Sequence, residues 1–151
     1  MLKGIDPLLG PDLLAMLRAM GHGDEIVIAD ANFPAAANAR RLVRLEGASA
    51  PRAAQAIVSV LPLDDFVPQA AFRMEVSDAP QTLPPVCREL AQVLEAAGYD
   101  RGVAPIERHA FYARAREAYG VVATGEPRFW GNLILKKGAI SPAPNQADGE
   151  A

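Results

Sequence analysis

The residues best suited to chemistry fall in one short stretch, MGHGDEIVIADANFP at 20–34. One of the two histidines, His22, stands between Gly21 and Gly23 just before an apolar run, and a carboxylate, Asp30, closes that run. Flanking glycines leave an imidazole uncrowded and let the backbone take positive φ. A bare imidazole suits proton transfer near neutral pH better than it suits core packing. The plainer role for His22 is to cap a helix end, where positive charge is favoured. Asp30 reads in two ways as well. It can cap the turn at Asn32-Phe33-Pro34, or hold a ligand at the carboxyl end of a strand, where open α/β sheets bind theirs. Cys87, the single cysteine, falls in a helical pattern and reads as a buried inert thiol. Two histidines on separate segments do not make a metal site, and no Walker or GxGxxG loop supports nucleotide binding.

The elements that must position these residues follow from periodicity. Gly10-Pro11-Asp12 opens a helix whose apolar positions are Leu13, Leu14, Leu17 and Met20, with Gly21 as its stop. Residues 25–29 form a strand covered on both faces, and 41–45 form a second. Residues 35–39 are small and without period. Ser49-Ala50-Pro51 starts a second helix running to Leu61. Residues 63–68 are a loop with paired acids, and 72–76 alternate like a strand with one wet face. Residues 77–85 are loop, and 86–97 a third helix closed by Gly98. After a short extended piece at 106–108 come a helix at 109–118 and strands at 121–124 and 132–135. Interleaved helices and strands give an α/β domain over 1–140, with helices covering a mixed or mostly parallel sheet. The last stretch, 141–151, reads as an unstructured tail.

Composition narrows the classes. A chain of 151 residues, half hydrophobic and 22% charged, makes one globular domain. A net charge of −3 gives no electrostatic reason for a nucleic-acid partner. No apolar run reaches the length of a membrane span, and Gly, Asp and Pro interrupt the first residues where a signal peptide needs a continuous apolar core. One cysteine fits a reducing compartment, so the expectation is a cytoplasmic protein.

Several blocks in order resemble the ribose pyranase and fucose mutarotase (RbsD/FucU) family. They are LKG at 2–4, MGHGDEIVIADANFPA at 20–35, LPLDDF at 61–66, IERHAFYARAREAYGVVATGE at 106–126 and WGNLILKKG at 130–138. The last two look closer to the fucose branch. The resemblance implies an isomerase that interconverts the anomers of L-fucose or a similar monosaccharide, without metal or organic cofactor. It also implies a ring-shaped homo-oligomer, commonly a decamer of stacked pentamers. Ribose pyranase activity, or a non-catalytic sugar-binding ring protein tied to transport, are the alternatives. The chemistry agrees with the residues. Opening a pyranose moves a proton off the anomeric hydroxyl and another onto the ring oxygen, and reclosure reverses both. That reaction needs an acid/base group and groups that hold hydroxyls without reacting.

By the same resemblance His22 corresponds to the proton-transferring histidine and Asp30 to a sugar-binding carboxylate. Arg108, Tyr112, Trp130 and Asn132 correspond to further sugar contacts, and Asp64 to an acid near the site in some relatives. Against these stand a solvated arginine, a core tyrosine and a solvated loop acid. An aromatic face packs on the apolar side of a sugar, and an amide can bond two hydroxyls. Many relatives carry tyrosine where Trp130 stands, which leaves stacking rather than proton shuttling at this position. His109 departs from the family pattern and reads as a surface or interface residue. Lys136 and Lys137 read as flanking a strand end.

Overall fold

The computed structural model describes residues 1–143 as an α/β domain. In chain order the elements are α1 (Pro11–Ala19), β1 (Glu25–Ala29), α2 (Ala35–Asn38), β2 (Leu42–Leu45), α3 (Ala50–Val58) and β3 (Ala71–Met74). Then come α4 (Pro85–Ala96), β4 (Ala104–Ile106), α5 (Arg108–Glu117), β5 (Gly120–Thr124) and β6 (Leu133–Lys136). The six strands form one sheet in the order β2-β5-β1-β6-β3-β4. Five strands run the same way and β6 runs against them, antiparallel to both β1 and β3. The sheet is therefore mixed and mostly parallel, as the interleaving of elements requires.

β1 is central and its side chains alternate between two cores. Ile26 and Ile28 face a cluster with Leu13, Leu17, Ile57 and Leu90 from α1, α3 and α4. Val27 and Ala29 face another with Phe33, Phe111 and Ala115 from the α2 and α5 side. A strand buried on both faces reads as an unbroken apolar run, which is why EIVIA carries no period-2 signal. Helix ends are fixed locally. The Ser49 hydroxyl accepts from the Arg52 N–H at the start of α3, and the Glu107 carboxylate accepts from the His109 and Ala110 N–H groups at the start of α5.

Several expectations shift. The alternation at 72–76 predicts a wet face for Arg73, yet the strand is Ala71–Met74 and Arg73 is buried under the α4 side. Packing against the helix layer overrides the polar alternation there. The alanine-rich segment without period holds a four-residue helix, α2. α3 ends at Val58, before the expected Leu61, and the extended piece near 106–108 forms earlier, at Ala104–Ile106. The expected tail at 141–151 lies outside the described residues from position 144 on.

Candidate active site

A cavity of about 240 Å³ opens at the carboxyl end of β1. It is lined by Asp30, Asn32, Phe33, Met74, Arg108, Tyr112, Phe129, Trp130 and Asn132. Its polar centre is a reciprocal pair between β1 and the start of β6. The Asp30 N–H donates to Asn132 Oδ1 at 2.8 Å, and Asn132 Nδ2 donates to Asp30 Oδ2 at 3.0 Å. The Asn32 N–H donates to the other carboxylate oxygen at 3.0 Å. Burial pushes the Asp30 carboxyl above its ordinary value, and these N–H donors work against that rise. The carboxylate lines the cavity as a hydrogen-bond acceptor for a ligand hydroxyl. Asn132, buried and doubly bonded to Asp30, is aimed by β1–β6 pairing.

Arg108 and Tyr112 occupy successive turns on one face of α5. The Arg108 Nε–H donates to the Tyr112 hydroxyl at 3.0 Å, and the tyrosine ring rests against Phe33. His109 is exposed, lies edge-on to Tyr112 and does not line the cavity. Trp130 forms one wall, and its backbone is unusual. With φ of +70° it occupies the left-handed region, where a bulky side chain is strained. The loop at 125–131 is braced from behind. The Cys87 thiol donates to the Trp130 carbonyl, and Arg128 spans the carboxylates of Glu126 and Glu89. Burial pushes the Glu126 carboxyl up, but the Arg128 guanidinium and the Arg128 and Ala50 N–H groups outweigh it and hold the carboxyl below its ordinary value.

His22 is not in this cavity. It sits at the opposite, amino end of β1, with its imidazole 46% exposed and its Nε2 3.0 Å from Asp64 Oδ1. The five extended residues of β1, at about 3.3 Å each, put roughly 15–20 Å between the His22 and Asp30 positions. Asp64 is buried, and its Oδ1 also accepts from the Phe66 N–H. The hydrogen bond from His22, then that N–H, hold its carboxyl below the ordinary range despite burial. An ionised carboxylate only accepts, so His22 Nε2 carries the proton and Nδ1 is the nitrogen left for exchange. Phe66, 76% exposed, packs its ring 5.2 Å from the imidazole. One copy thus carries two separate clusters: an acceptor-lined cavity and a histidine–aspartate dyad.

Of the seven residues singled out in the sequence, five meet in the cavity, while His22 and Asp64 meet each other. Phe33, Met74 and Phe129, the apolar lining, were not singled out. Phe33 lay within the Asn-Phe-Pro turn beside Asp30, which was its one sequence signal. Glu126 and Arg128 carry no local signal, since their role depends on Glu89 of α4. Among the described residues no group of three His, Cys, Asp or Glu side chains is placed to hold a metal ion, and no helix is long and apolar enough to cross a membrane.

Comparison with known proteins agrees with this frame. Residues 3–140 match the model of the RbsD / FucU transport protein family. The chain belongs to this family. It is 46% identical to the fucose mutarotase of Homo sapiens, over 95% of this chain and 97% of that protein. It is 41% identical to the L-fucose mutarotase of Haemophilus influenzae, covering 91% and 96%. Among solved structures, the fucose mutarotase of Streptococcus pneumoniae in complex with L-fucose superposes with a TM-score of 0.88 at 40% identity, covering 93% of this chain and all of that one. As an RbsD/FucU member the chain keeps the family fold over residues 3–140, with Asp30 and Asn132 paired at one end of β1 and His22 and Asp64 at the other.

Proposed function

We propose that this protein is a fucose mutarotase that interconverts the α and β anomers of L-fucose, with the cavity of one copy completed by the His22–Asp64 dyad of a neighbour. The observation that carries the proposal is the separation of the half-sites. The cavity offers hydroxyl acceptors and aromatic walls, whereas the imidazole stands exposed beside Phe66 at the far end of the sheet. A single monosaccharide cannot touch both ends of β1. A second copy that brings the His22–Phe66 knob to the cavity supplies the missing proton-transfer group and covers an exposed aromatic ring.

In that site Asp30 and Asn132 take sugar hydroxyls, the Trp130 face packs on the apolar side of the ring, and Arg108 with Tyr112 closes the outer edge. As the ring opens, His22 Nδ1 accepts the anomeric hydroxyl proton while a solvent water gives a proton to the ring oxygen; on reclosure the ring oxygen gives its proton back to water and His22 returns the first to the carbonyl oxygen. Asp64 holds the imidazole in one tautomer and stabilises it when charged. A positioned group of this kind contributes about 10²–10⁴ in rate. Because every cavity needs a neighbour's dyad, the working unit is a homo-oligomer, and a closed ring such as a decamer of stacked pentamers satisfies every copy. A single buried cysteine, Cys87, with no partner in the chain for a disulfide, fits a cytoplasmic location.

The same separation favours one second reading, in which an isolated chain binds sugar without catalysis. Subunit complementation tests the two. His22→Ala and Asp30→Ala chains are expected to be inactive alone, and mixed oligomers assembled by refolding together should regain part of the rate. Some of their sites combine an intact cavity with an intact dyad. Mixed oligomers as inactive as either parent would defeat the shared-site proposal, and an active monomer would do so independently.

A further inference from the structure

The two members of the dyad lie 42 positions apart in sequence, and neither belongs to a helix or named strand. One residue at the end of β6 holds both segments. The Lys137 N–H donates to the Asp24 carbonyl, and its own carbonyl accepts from the Gly23 N–H, each at 2.8 Å. These bonds bracket the His22 turn on its carboxyl side. The Lys137 ammonium reaches round to the amino side and donates to the Leu17 and Met20 carbonyls at 2.7 and 2.6 Å. The first is a last-turn carbonyl of α1 and the second belongs to its C-terminal cap, Met20, which is extended (φ −60°, ψ 138°) rather than a left-handed glycine. Without such a cap, an outside donor must satisfy them. On the other side Lys137 bridges Leu63, the Lys136 carbonyl accepts from the Asp64 N–H, and the Gly138 N–H donates to the Pro62 carbonyl. The backbone runs so close that a Cβ on Gly138 would lie 2.9 Å from the Asp64 Cα.

We propose that Lys137 is a positioning residue for the reaction: its ammonium fixes the Met20–Gly21 step, so that His22 meets Asp64 and presents one nitrogen outward. The proposal rests on the reading of His22 as the acid/base. The ammonium is sequestered in a partly buried niche, where desolvation and Arg18 disfavour its charge and Asp24 favours it. That is a costly place for a lysine that merely flanks a strand. It touches neither the cavity nor the imidazole and acts only through the turn.

The test compares Lys137→Met and Lys137→Arg with the native enzyme. Rate is read from anomeric exchange, affinity from calorimetry, and the His22 tautomer from its nitrogen–proton correlations. Lys137→Met should lose roughly 10- to 100-fold in rate, the scale of a displaced catalytic group, while affinity stays within about twofold. Its His22 signal should change from a single Nε2-protonated tautomer to a mixture. Lys137→Arg, which keeps a donor for the carbonyls, should recover most of the rate and the single tautomer. If Lys137→Met does not fold, Lys137→Gln, whose shorter uncharged amide gives up the double clamp on the Leu17 and Met20 carbonyls, carries the same expectation. A native rate and tautomer in the folded variant overturn the proposal, as does loss of rate with the tautomer unchanged. His22→Ala is measured alongside: if it keeps the native rate, the catalytic reading itself fails. If only His22→Ala is impaired, that reading stands and the role of Lys137 falls.

Discussion

At Trp130, backbone strain and the proposed stacking on sugar can be tested apart in a single side chain. Its φ of +70° places an L-residue where the left-handed conformation costs about 1–2 kcal/mol. Trp130→Ala keeps that cost, because alanine also has a Cβ. Trp130→Gly removes it but returns about 0.4–1 kcal/mol through the freer unfolded chain. The glycine variant should therefore be the more stable of the two by about 0.5–1 kcal/mol, a difference of roughly 1–4 °C in melting temperature for a chain of this size. Both variants lose the aromatic wall of the cavity, so both should bind L-fucose more weakly by about 1–3 kcal/mol. Trp130→Tyr keeps the ring and should cost little. The assay is a melt at fixed protomer concentration together with calorimetric titration of sugar, since assembly makes melting concentration-dependent. Equal stability of the alanine and glycine variants would refute the strain argument, and native affinity in either would refute the stacking argument.

Three other outcomes follow from the ion-paired carboxylates and the buried thiol. Arg128→Met strands the buried Glu126 carboxylate and should destabilise by about 2–3 kcal/mol. That is less than a fully buried pair would cost, because Arg128 is 41% exposed. Adding Glu126→Gln should recover part of the loss in urea melts. The Glu126 and Asp64 carboxyls are both held below their ordinary values when folded, so their contribution is complete above the unfolded carboxylate range. It is lost as pH falls through the lower folded values, and acid titration of the urea midpoint should fall there. The Cys87 thiol is buried and pushed up by burial, so it should resist an aromatic disulfide reagent at pH 8 and react once the chain is unfolded.

The sequence made some of this arrangement legible and hid the rest for physical reasons. Helix starts at Pro11 and Pro51, and the buried run of β1, depend on neighbours in the chain and were readable. The pairing of Asp30 with Asn132 spans 102 positions and has no signal in the sequence, where the resemblance gives each only as a separate sugar contact. His22 and Asp30 fall in one short stretch, yet the extended strand between them sets them at opposite ends of the sheet. Asp64 read as a sugar contact because no local pattern announces that it faces an imidazole from another segment. Arg73 read as solvent-facing because alternation reports polarity, not which face a helix will cover. The left-handed backbone of Trp130 was invisible, since tryptophan gives no sign of positive φ.

The most direct test of the central claim is two-dimensional exchange NMR on the anomeric protons of L-fucose, with the native enzyme and with His22→Ala at equal protomer concentration. The account predicts exchange well above the buffer rate for the native enzyme and a loss of about 10²–10⁴ for the variant, with sugar affinity largely kept. Exchange at the buffer rate with native protein, or a native rate without His22, would contradict it.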